Sequence, residues 1–360
     1  MIPPRVLQSD YMNFAKVAGP APYGLASSGV ADCELSDLDV TLADLALHGP
    51  NAYGYRPLIE AIAGRLAIPS GCVVTAAGCS FANHLAMAAL VAPGDEVLVE
   101  DPTYELLVSA LGYLQADIRR FARRWEDAWR IDVDEVARRL TPRTRLVVLT
   151  NLHNPSSALE SEDTIWAVAE AAAKVGARVL VDEVYLELMF RSSEARTSFR
   201  PDGNVIVTSS LTKAYGLSGL RCGWILAPGD LAERMWRLND LYSATPVHLA
   251  ERLSVVAFNR LEILRTRANT IIDTNRAAYR EFLSGHPGLD PLLFDQGTTV
   301  FPRLISGDGD ALFHRLKAGF EASVVPGRFF GCADHVRIGL GGDPAKTRIG
   351  LERLAQALRI

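Results

Sequence analysis

The sequence predicts an α/β fold: a large domain built on a mostly parallel sheet flanked by helices, and a smaller α+β domain beside it. The chain has 360 residues, which is too long for one small core and suits two domains of unequal size. Unbroken apolar runs within residues 145–150 and 178–181 are typical of strands that are buried on both faces of a sheet. An amphipathic stretch at 161–176 lies between them and predicts a helix.

The remaining elements follow from apolar periodicity and from the positions of glycine and proline. Strands are predicted at 73–76, 96–99, 145–150, 178–181, 204–208, 224–227 and 297–304. Helices are predicted at 56–66, 80–91, 131–140, 161–176, 230–241, 309–321 and 345–358, with a long helical region and a bend at 247–283. We expect residues 1–45 to form an arm of the small domain, 46–245 the large domain, and 246–360 a connecting helix and the C-terminal small domain.

Composition and charge exclude several classes of function. Hydrophobic residues make up 49% of the chain and the net charge is -5, which argues against a nucleic-acid or anionic-membrane partner. No apolar run approaches transmembrane length, so no membrane association is expected. Five cysteines without a Cys-x-x-Cys pair suit a reducing compartment, and residues 1–10 lack the apolar core of a secretory signal. We therefore expect a cytoplasmic protein, and no metal site.

The stretch 209–224 concentrates the chemistry of the chain. It places Ser210, Thr212, Lys213 and Arg221 between two apolar runs that read as buried strands. The hydroxyls and the guanidinium are groups that bind phosphate oxygens. A lysine beside such an anion site is suited to form a Schiff base with a phosphorylated aldehyde.

The spacing Ser210-x-x-Lys213, followed by Arg221 eight positions after the lysine, resembles the lysine motif of fold-type I pyridoxal-phosphate enzymes of the class I/II aminotransferase family. This resemblance implies that Lys213 holds pyridoxal phosphate. It also implies that Ser210 and Arg221 bind the cofactor phosphate.

Two earlier junctions resemble cofactor-binding motifs of the same family. Gly78-Cys79-Ser80 joins a predicted strand to a predicted helix, for which Ser80 is a plausible N-cap, and a helix N-terminus is an anion site. The resemblance implies that these three residues bind the cofactor phosphate. Tyr104, which follows the strand end and Pro102, would stack on the cofactor ring.

Two further strand ends carry family-like motifs. Residues 151–157 resemble the pattern Asn-Pro-x-Asn-Pro-Thr-Gly, with a departure at Ser157, and the resemblance implies that Asn154 hydrogen-bonds the phenolic oxygen of the cofactor. Asp182 ends another strand, where ligands of α/β proteins bind, and Tyr185 follows in an Asp-Glu-x-Tyr motif. Asp182 would pair with the pyridine nitrogen, and Tyr185 would bind the phenolic oxygen.

The substrate groups are also assigned by resemblance. A Pro-Gly-x-x-Phe turn at 326–330 precedes Arg337, which would hold the α-carboxylate of the substrate as a two-pronged fork. Asn154 would also contact the substrate, and Ser28 and Gly29 lie in a segment that resembles the loop over the substrate carboxylate. A tyrosine before the helix at 56–66 would reach the phosphate of a neighbouring subunit, which implies a homodimer. Tyr53 and Tyr55 are the candidates, and we favour Tyr53.

The motif set implies an aminotransferase that moves an amino group between an α-amino acid and a 2-oxo acid, with Lys213 moving the α-proton. A β- or γ-eliminating lyase, or a cyclase, remains an alternative because all of these share carbanion chemistry at Cα. A cofactor-sensing regulator is disfavoured, since such regulators carry an added DNA-binding domain. No second arginine of the kind used by dicarboxylate-specific members is apparent, so aspartate is not favoured as a substrate.

Overall fold

A computed structural model describes residues 2–189, 196–285 and 288–359. Its helices are α1 (Asp10–Asn13), α2 (Arg56–Leu66), α3 (Cys79–Leu90), α4 (Glu105–Tyr113), α5 (Val133–Arg139), α6 (Glu162–Ala173), α7 (Leu211–Tyr215), α8 (Gly229–Asn239), α9 (His248–Phe258), α10 (Leu261–Ser284), α11 (Gly309–Gly319) and α12 (Pro344–Ala357). Its strands are β1 (Tyr23–Gly24), β2 (Val73–Ala77), β3 (Glu96–Asp101), β4 (Asp117–Ala122), β5 (Thr144–Thr150), β6 (Arg178–Asp182), β7 (Val205–Ser210), β8 (Cys222–Leu226), β9 (Leu289–Asp290), β10 (Thr299–Val300), β11 (Arg303–Leu304), β12 (Ala322–Ser323), β13 (Val325–Pro326) and β14 (Val336–Gly339).

The predicted α/β fold is confirmed by a seven-stranded sheet in the order β2-β8-β7-β6-β5-β3-β4. Strands β4, β3, β5, β6 and β7 are parallel, and only β8 runs against its neighbours β2 and β7. Side chains alternate across the sheet, so Val147 and Leu149 pack towards α2, α5 and α6, whereas Leu146 and Val148 pack towards α3, α4 and α8. The central strands are therefore buried on both faces, as their apolar runs indicate.

A second group of elements surrounds a separate core at the C-terminal end of the chain. Strands β10, β14 and β13 form a small antiparallel sheet, and α10, α11 and α12 contribute to the same core. The N-terminal arm reaches this core through Leu25, and β1 pairs in parallel with β12. The predicted domain boundaries at residues 45 and 245 stay a prediction.

The structure divides one predicted strand and adds an edge strand that was not predicted, each for an identifiable reason. The strand predicted at 297–304 is divided into β10 and β11, because Pro302 has no N–H for a ladder and the two pieces pair with different strands. The edge strand β4 is not predicted, since its charged residues Arg119 and Arg120 are typical of a solvated surface. The long helical region predicted at 247–283 is present as α9 and α10, and the predicted bend lies at Asn259 and Arg260.

The start of α3 also differs from the prediction. Gly78, not Ser80, is the N-cap, with a φ of 83° that favours glycine. Within the described ranges, no helix has the length and apolar character needed to cross a membrane.

Candidate active site

The carboxyl ends of β5, β6 and β7 carry the three side chains around which the site is built. Asn154 follows β5, Asp182 ends β6 and Lys213 follows β7. They line a cavity of about 220 Å³. Other predicted residues on its wall are Ser28, Cys79, Ser80, Tyr104, Tyr185, Ser210 and Arg221. Most of the predicted site residues therefore meet in one place.

Lys213 lies on the short helix α7, directly after β7. Ser210 is the N-cap of this helix, and its Oγ accepts a hydrogen bond from the Thr212 backbone N–H at 3.3 Å. The Lys213 Nζ donates to Ser28 Oγ at 3.1 Å. Burial, and the nearby charges of Arg337 and Arg221, lower the pKa of the Lys213 amine to about 8. A substantial fraction of this amine is therefore neutral and nucleophilic at mildly alkaline pH.

Asp182 is a buried carboxylate that is held by three donors. Asn83 Nδ2 donates to Oδ2 at 2.7 Å, and the Val184 backbone N–H donates to Oδ1 at 3.0 Å. The Cys79 thiol donates to Oδ1 at 3.4 Å. Burial raises the pKa of the Asp182 carboxyl, and the hydrogen bonds oppose that rise. The site thus contains a carboxylate that a cationic ligand atom would stabilise.

Arg337 lies on β14 with only 1% of its surface exposed. Its Nη1 donates to Asn154 Oδ1 at 3.0 Å, and its Nη2 donates to the Tyr11 hydroxyl at 2.7 Å and to the Ala26 carbonyl at 3.2 Å. In the described part of the chain its Nε has no hydrogen-bond partner. Neutral oxygens are thus the partners of this buried guanidinium, which favours a site for a carboxylate.

A second group of residues at the cavity, Ser80, Thr212 and Arg221, can bind an anion. Ser80, in the first turn of α3, has a backbone N–H without an intrahelical acceptor. Arg221 packs against the preceding Gly78, where a Cβ would lie 2.2 Å from Nη2. Glycine at this position is therefore required for the guanidinium to approach the helix. The buried Thr212 hydroxyl has no partner among the described residues, so it is available for a ligand.

The two predicted tyrosines, Tyr104 and Tyr185, both line the cavity. Tyr104 precedes α4, and its ring meets the ring of Tyr11 edge-on at a centroid distance of 5.5 Å. Burial raises the pKa of both phenols, so each remains a neutral hydroxyl that can donate a hydrogen bond.

Four predicted residues are not on the cavity wall, and one of them, Arg337, is hydrogen-bonded to two residues that are, Asn154 and Tyr11. Gly29 lies beside Lys213, where a Cβ would come 3.2 Å from Lys213 Cδ, and Gly78 lies behind Arg221. Tyr53 is 42% exposed, packs edge-on against Trp236 and contacts Arg237 through its hydroxyl. Tyr53 therefore belongs to the outer surface of the chain, and its predicted role across subunits stays a prediction.

Residues from two places join the site without having been predicted from the sequence. Tyr11, Met12 and Ala15 line the cavity, although Ser28 and Gly29 are the residues of the predicted arm that are assigned to the site from the sequence. Asn83 holds Asp182 from within α3. Asn83 could have been noticed in the sequence, because it is a polar residue among the apolar residues of a predicted helix. No comparable feature of the sequence distinguishes Tyr11.

Comparison with known proteins identifies the family. Residues 46–354 match the family described as "Aminotransferase class I and II". The chain belongs to this family. It is a pyridoxal-phosphate-dependent aminotransferase, which moves an amino group between an α-amino acid and a 2-oxo acid.

Two named relatives align with most of the aminotransferase sequence. Capreomycidine synthase from Streptomyces vinaceus is 33% identical over 346 residues, which cover 93% of this chain and 89% of that protein. The arginine–pyruvate transaminase AruH from Pseudomonas aeruginosa is 30% identical over 344 residues, which cover 86% of this chain and 84% of that one.

Two solved structures share the fold. A PLP-dependent aminotransferase from Streptococcus suis superposes with a TM-score of 0.88 at 21% identity, over 97% of this chain and 96% of its own. The PLP-dependent cyclase OrfR superposes with a TM-score of 0.84 at 25% identity, over 99% and 97%.

The donor set of the aminotransferase fits pyridoxal phosphate. The unpartnered Thr212 hydroxyl and the Arg221 guanidinium suit a phosphate, and the Lys213 amine suits an aldehyde. The buried Asp182 carboxylate suits a protonated ring nitrogen. All four side chains line the same cavity, so one molecule of the cofactor can meet them together.

Proposed function

We propose that Lys213 is the cofactor lysine and the catalytic base of this aminotransferase, that Asp182 pairs with the ring nitrogen, and that Arg337 anchors the substrate carboxylate. The observation that carries this proposal is the single cavity in which the Lys213 amine and the Asp182 carboxylate meet, with the Arg337 guanidinium hydrogen-bonded to Asn154 on its wall. When bound, pyridoxal phosphate supplies an electron-accepting ring that stabilises negative charge at the substrate α carbon.

The side chains around the cofactor have separate tasks in this proposal. Ser80, Ser210, Thr212 and Arg221 hold the phosphate, together with the backbone at Gly78 and Cys79. Tyr104 stacks on the ring, while Asn154 and Tyr185 bind its phenolic oxygen. The neutral Lys213 amine removes the proton from the substrate α carbon and holds it at Nζ, near Ser28 Oγ. The lowered pKa of this amine favours the neutral form that the task requires.

Arg337 is positioned before the substrate arrives. Asn154 and Tyr11 each accept a hydrogen bond from one end of the guanidinium, so its plane is held in one orientation. Ser28 and Gly29 lie next to Lys213. A substrate carboxylate would therefore meet a pre-oriented fork, which reduces the ordering that binding requires.

Arg337→Ala should weaken binding of amino-acid substrates by at least about tenfold, because removing one partner of a buried charge pair costs about 2–5 kcal/mol. Binding of simple amines, which lack the carboxylate, should change much less. Both affinities can be measured by titrating the visible absorption of the loaded enzyme.

The matched control is Arg328→Ala. Arg328 precedes β14 in the chain but is paired with Asp310 at the surface, where an ion pair contributes little. This variant should leave both ligands unaffected. Equal losses for amino acids and simple amines in Arg337→Ala would contradict the assignment of Arg337.

The relatives also define the first substrates to test. Because the Pseudomonas relative is named an arginine–pyruvate transaminase, arginine is the first amino donor to test and pyruvate the first acceptor. Beyond the groups already assigned, Tyr11, Met12 and Ala15 form an aromatic and apolar part of the described cavity wall. The only cations on that described wall are Lys213 and Arg221, so an acidic substrate side chain finds no additional partner there.

Cyclisation or elimination is the second candidate function, favoured by the similarity to a Streptomyces synthase and to the cyclase OrfR. The three reactions share the first task of Lys213, removal of the α-proton. They differ in the fate of the amino nitrogen. Transfer leaves the nitrogen on the cofactor and releases an oxo acid, whereas elimination and cyclisation leave the cofactor unchanged after each turnover.

A single turnover with an amino acid and no oxo acid separates these reactions. We expect the amine form of the cofactor to accumulate and to disappear again when a 2-oxo acid is added. Absorption spectroscopy follows the cofactor, and mass spectrometry identifies the product. Continuous product release from one amino acid, with no change in the cofactor, would establish the lyase or cyclase reaction instead.

We also propose that the enzyme is a cytoplasmic homodimer in which Tyr53 reaches the phosphate of the partner subunit. Large apolar side chains are exposed near Tyr53: Leu47 is 80% exposed and Val247 is 69% exposed. The two segments are adjacent, since Asn51 donates to the Pro246 carbonyl at 2.8 Å. A second copy would cover this surface. Light scattering that gave only the 39.1 kDa mass of one chain would contradict the dimer.

A further inference from the structure

Two buried polar side chains that have no role in the proposed reaction, Asn83 and Thr208, form a hydrogen-bonded chain that ends at Asp182. Asn83 is on α3 and is 3% exposed, and Thr208 is on β7 and is fully buried. The neighbouring buried positions of α3 are apolar, including Ala82, Leu85 and Ala86. Placing two polar groups in this core is costly unless they are hydrogen-bonded.

The two side chains form a directed relay to the carboxylate. The Thr208 hydroxyl donates to Asn83 Oδ1 at 2.5 Å, and Asn83 Nδ2 donates to Asp182 Oδ2 at 2.7 Å. An ionised carboxylate can only accept, so the amide nitrogen of Asn83 faces Asp182, and the amide oxygen is left to accept from the Thr208 hydroxyl. Thr208 therefore helps to hold Asn83 in the orientation in which its amide nitrogen reaches Asp182.

Asn83 is the partner of one particular carboxylate oxygen. The other donors, the Val184 backbone N–H and the Cys79 thiol, both reach Oδ1. Burial raises the pKa of the Asp182 carboxyl, and the Asn83 hydrogen bond is the largest effect that opposes it. Without Asn83, Oδ2 would lose this donor, and the buried carboxyl would more readily take a proton.

We propose that Asn83, oriented by Thr208, is a positioning residue that keeps Asp182 ionised and directed at the ring nitrogen of the cofactor. It would thereby hold the proton on that nitrogen over a wider pH range. The proposal rests on the proposed role of Asp182. The titratable groups around Asp182 are Cys79 on α3, Tyr104 before α4, Tyr185 after β6 and Lys213 on α7.

The test uses enzyme loaded with pyridoxal phosphate that carries ¹⁵N in the ring, because the ¹⁵N chemical shift reports whether the nitrogen is protonated. In Asn83→Leu we expect the nitrogen to lose its proton about one to two pH units lower than in the wild type, the equivalent of one hydrogen bond to a charged group. Thr208→Val should shift the titration in the same direction by less. Thr208→Ser, which retains the hydroxyl, should restore it.

Asn204→Leu is the matched control. Asn204 lies at the other end of β7 and donates to the Ala169 and Ala177 carbonyls at 2.8 and 3.2 Å. This variant should lower the thermal midpoint and leave the titration unchanged. If Asn83→Leu behaves in the same way, the relay serves only stability and the proposal is overturned. If Asn83→Leu does not fold, an unchanged titration in Thr208→Val overturns it.

Asp182→Ala separates the role of Asp182 from that of the relay. An unchanged ring-nitrogen titration in Asp182→Ala would remove the proposed role of Asp182 itself. A shifted titration in Asp182→Ala with none in Asn83→Leu would leave that role intact and overturn only the relay.

Discussion

Lys213→Ala should lose amino transfer by at least about 10⁴-fold, the upper end of what a positioned general base contributes, because the same amine is also the attachment point of the cofactor. The protein should remain folded and should still bind pyridoxal phosphate, since Arg221, Ser80 and Asp182 are unchanged. The single-turnover rate measures the loss, and equilibrium dialysis measures the retained binding.

Borohydride reduction followed by peptide mapping tests the attachment directly. In the wild type the label should be on Lys213, and in Lys213→Ala no covalent link should form. Lys174→Ala, at an exposed position after α6, is the matched control and should behave as the wild type does. A label on any lysine other than Lys213 would contradict the assignment.

Asp182→Ala should slow removal of the substrate α-proton by about a hundredfold or more, the usual cost of removing an electrostatic partner of the transition state. The carboxylate is buried and directly opposes the charge that the ring nitrogen would carry, so water cannot easily replace it. Some cofactor should remain bound through Lys213 and the phosphate-binding groups. Exchange of the α-proton with solvent deuterium, followed by NMR, measures the step separately from later ones.

Glu183→Gln is the matched control for Asp182→Ala. Glu183 is the neighbouring buried carboxyl, but it accepts from the Ser198 backbone N–H and the Thr197 hydroxyl, each at 2.8 Å, and does not line the cavity. Its replacement should reduce stability with little effect on proton exchange. Near-normal exchange in Asp182→Ala would remove Asp182 from the role.

The sequence predicts only some of the residues that surround the substrate. Arg337 was predicted from a turn motif, but the Tyr11 hydroxyl that binds it comes from a residue 326 positions earlier. Ser28 and Lys213, which share a hydrogen bond, are 185 positions apart. Neither pairing follows from local spacing, because each depends on how the N-terminal arm packs over the finished sheet.

The sequence by itself determined the α/β fold and the residues at the strand ends. Apolar runs such as 145–150 are typical of central strands, and the carboxyl ends of parallel strands meet at one edge. The positions of Asn154, Asp182 and Lys213 follow from this rule. Only the tertiary structure decided that Asn83 supports Asp182 and that Tyr11 reaches Arg337. The tertiary structure also decided that the predicted strand is divided at Pro302. The two pieces, β10 and β11, pair with different strands, β14 and β9. The physical reason is that the apolar pattern of a strand can be recognised within a short segment, whereas a hydrogen bond between distant segments forms only after both have packed.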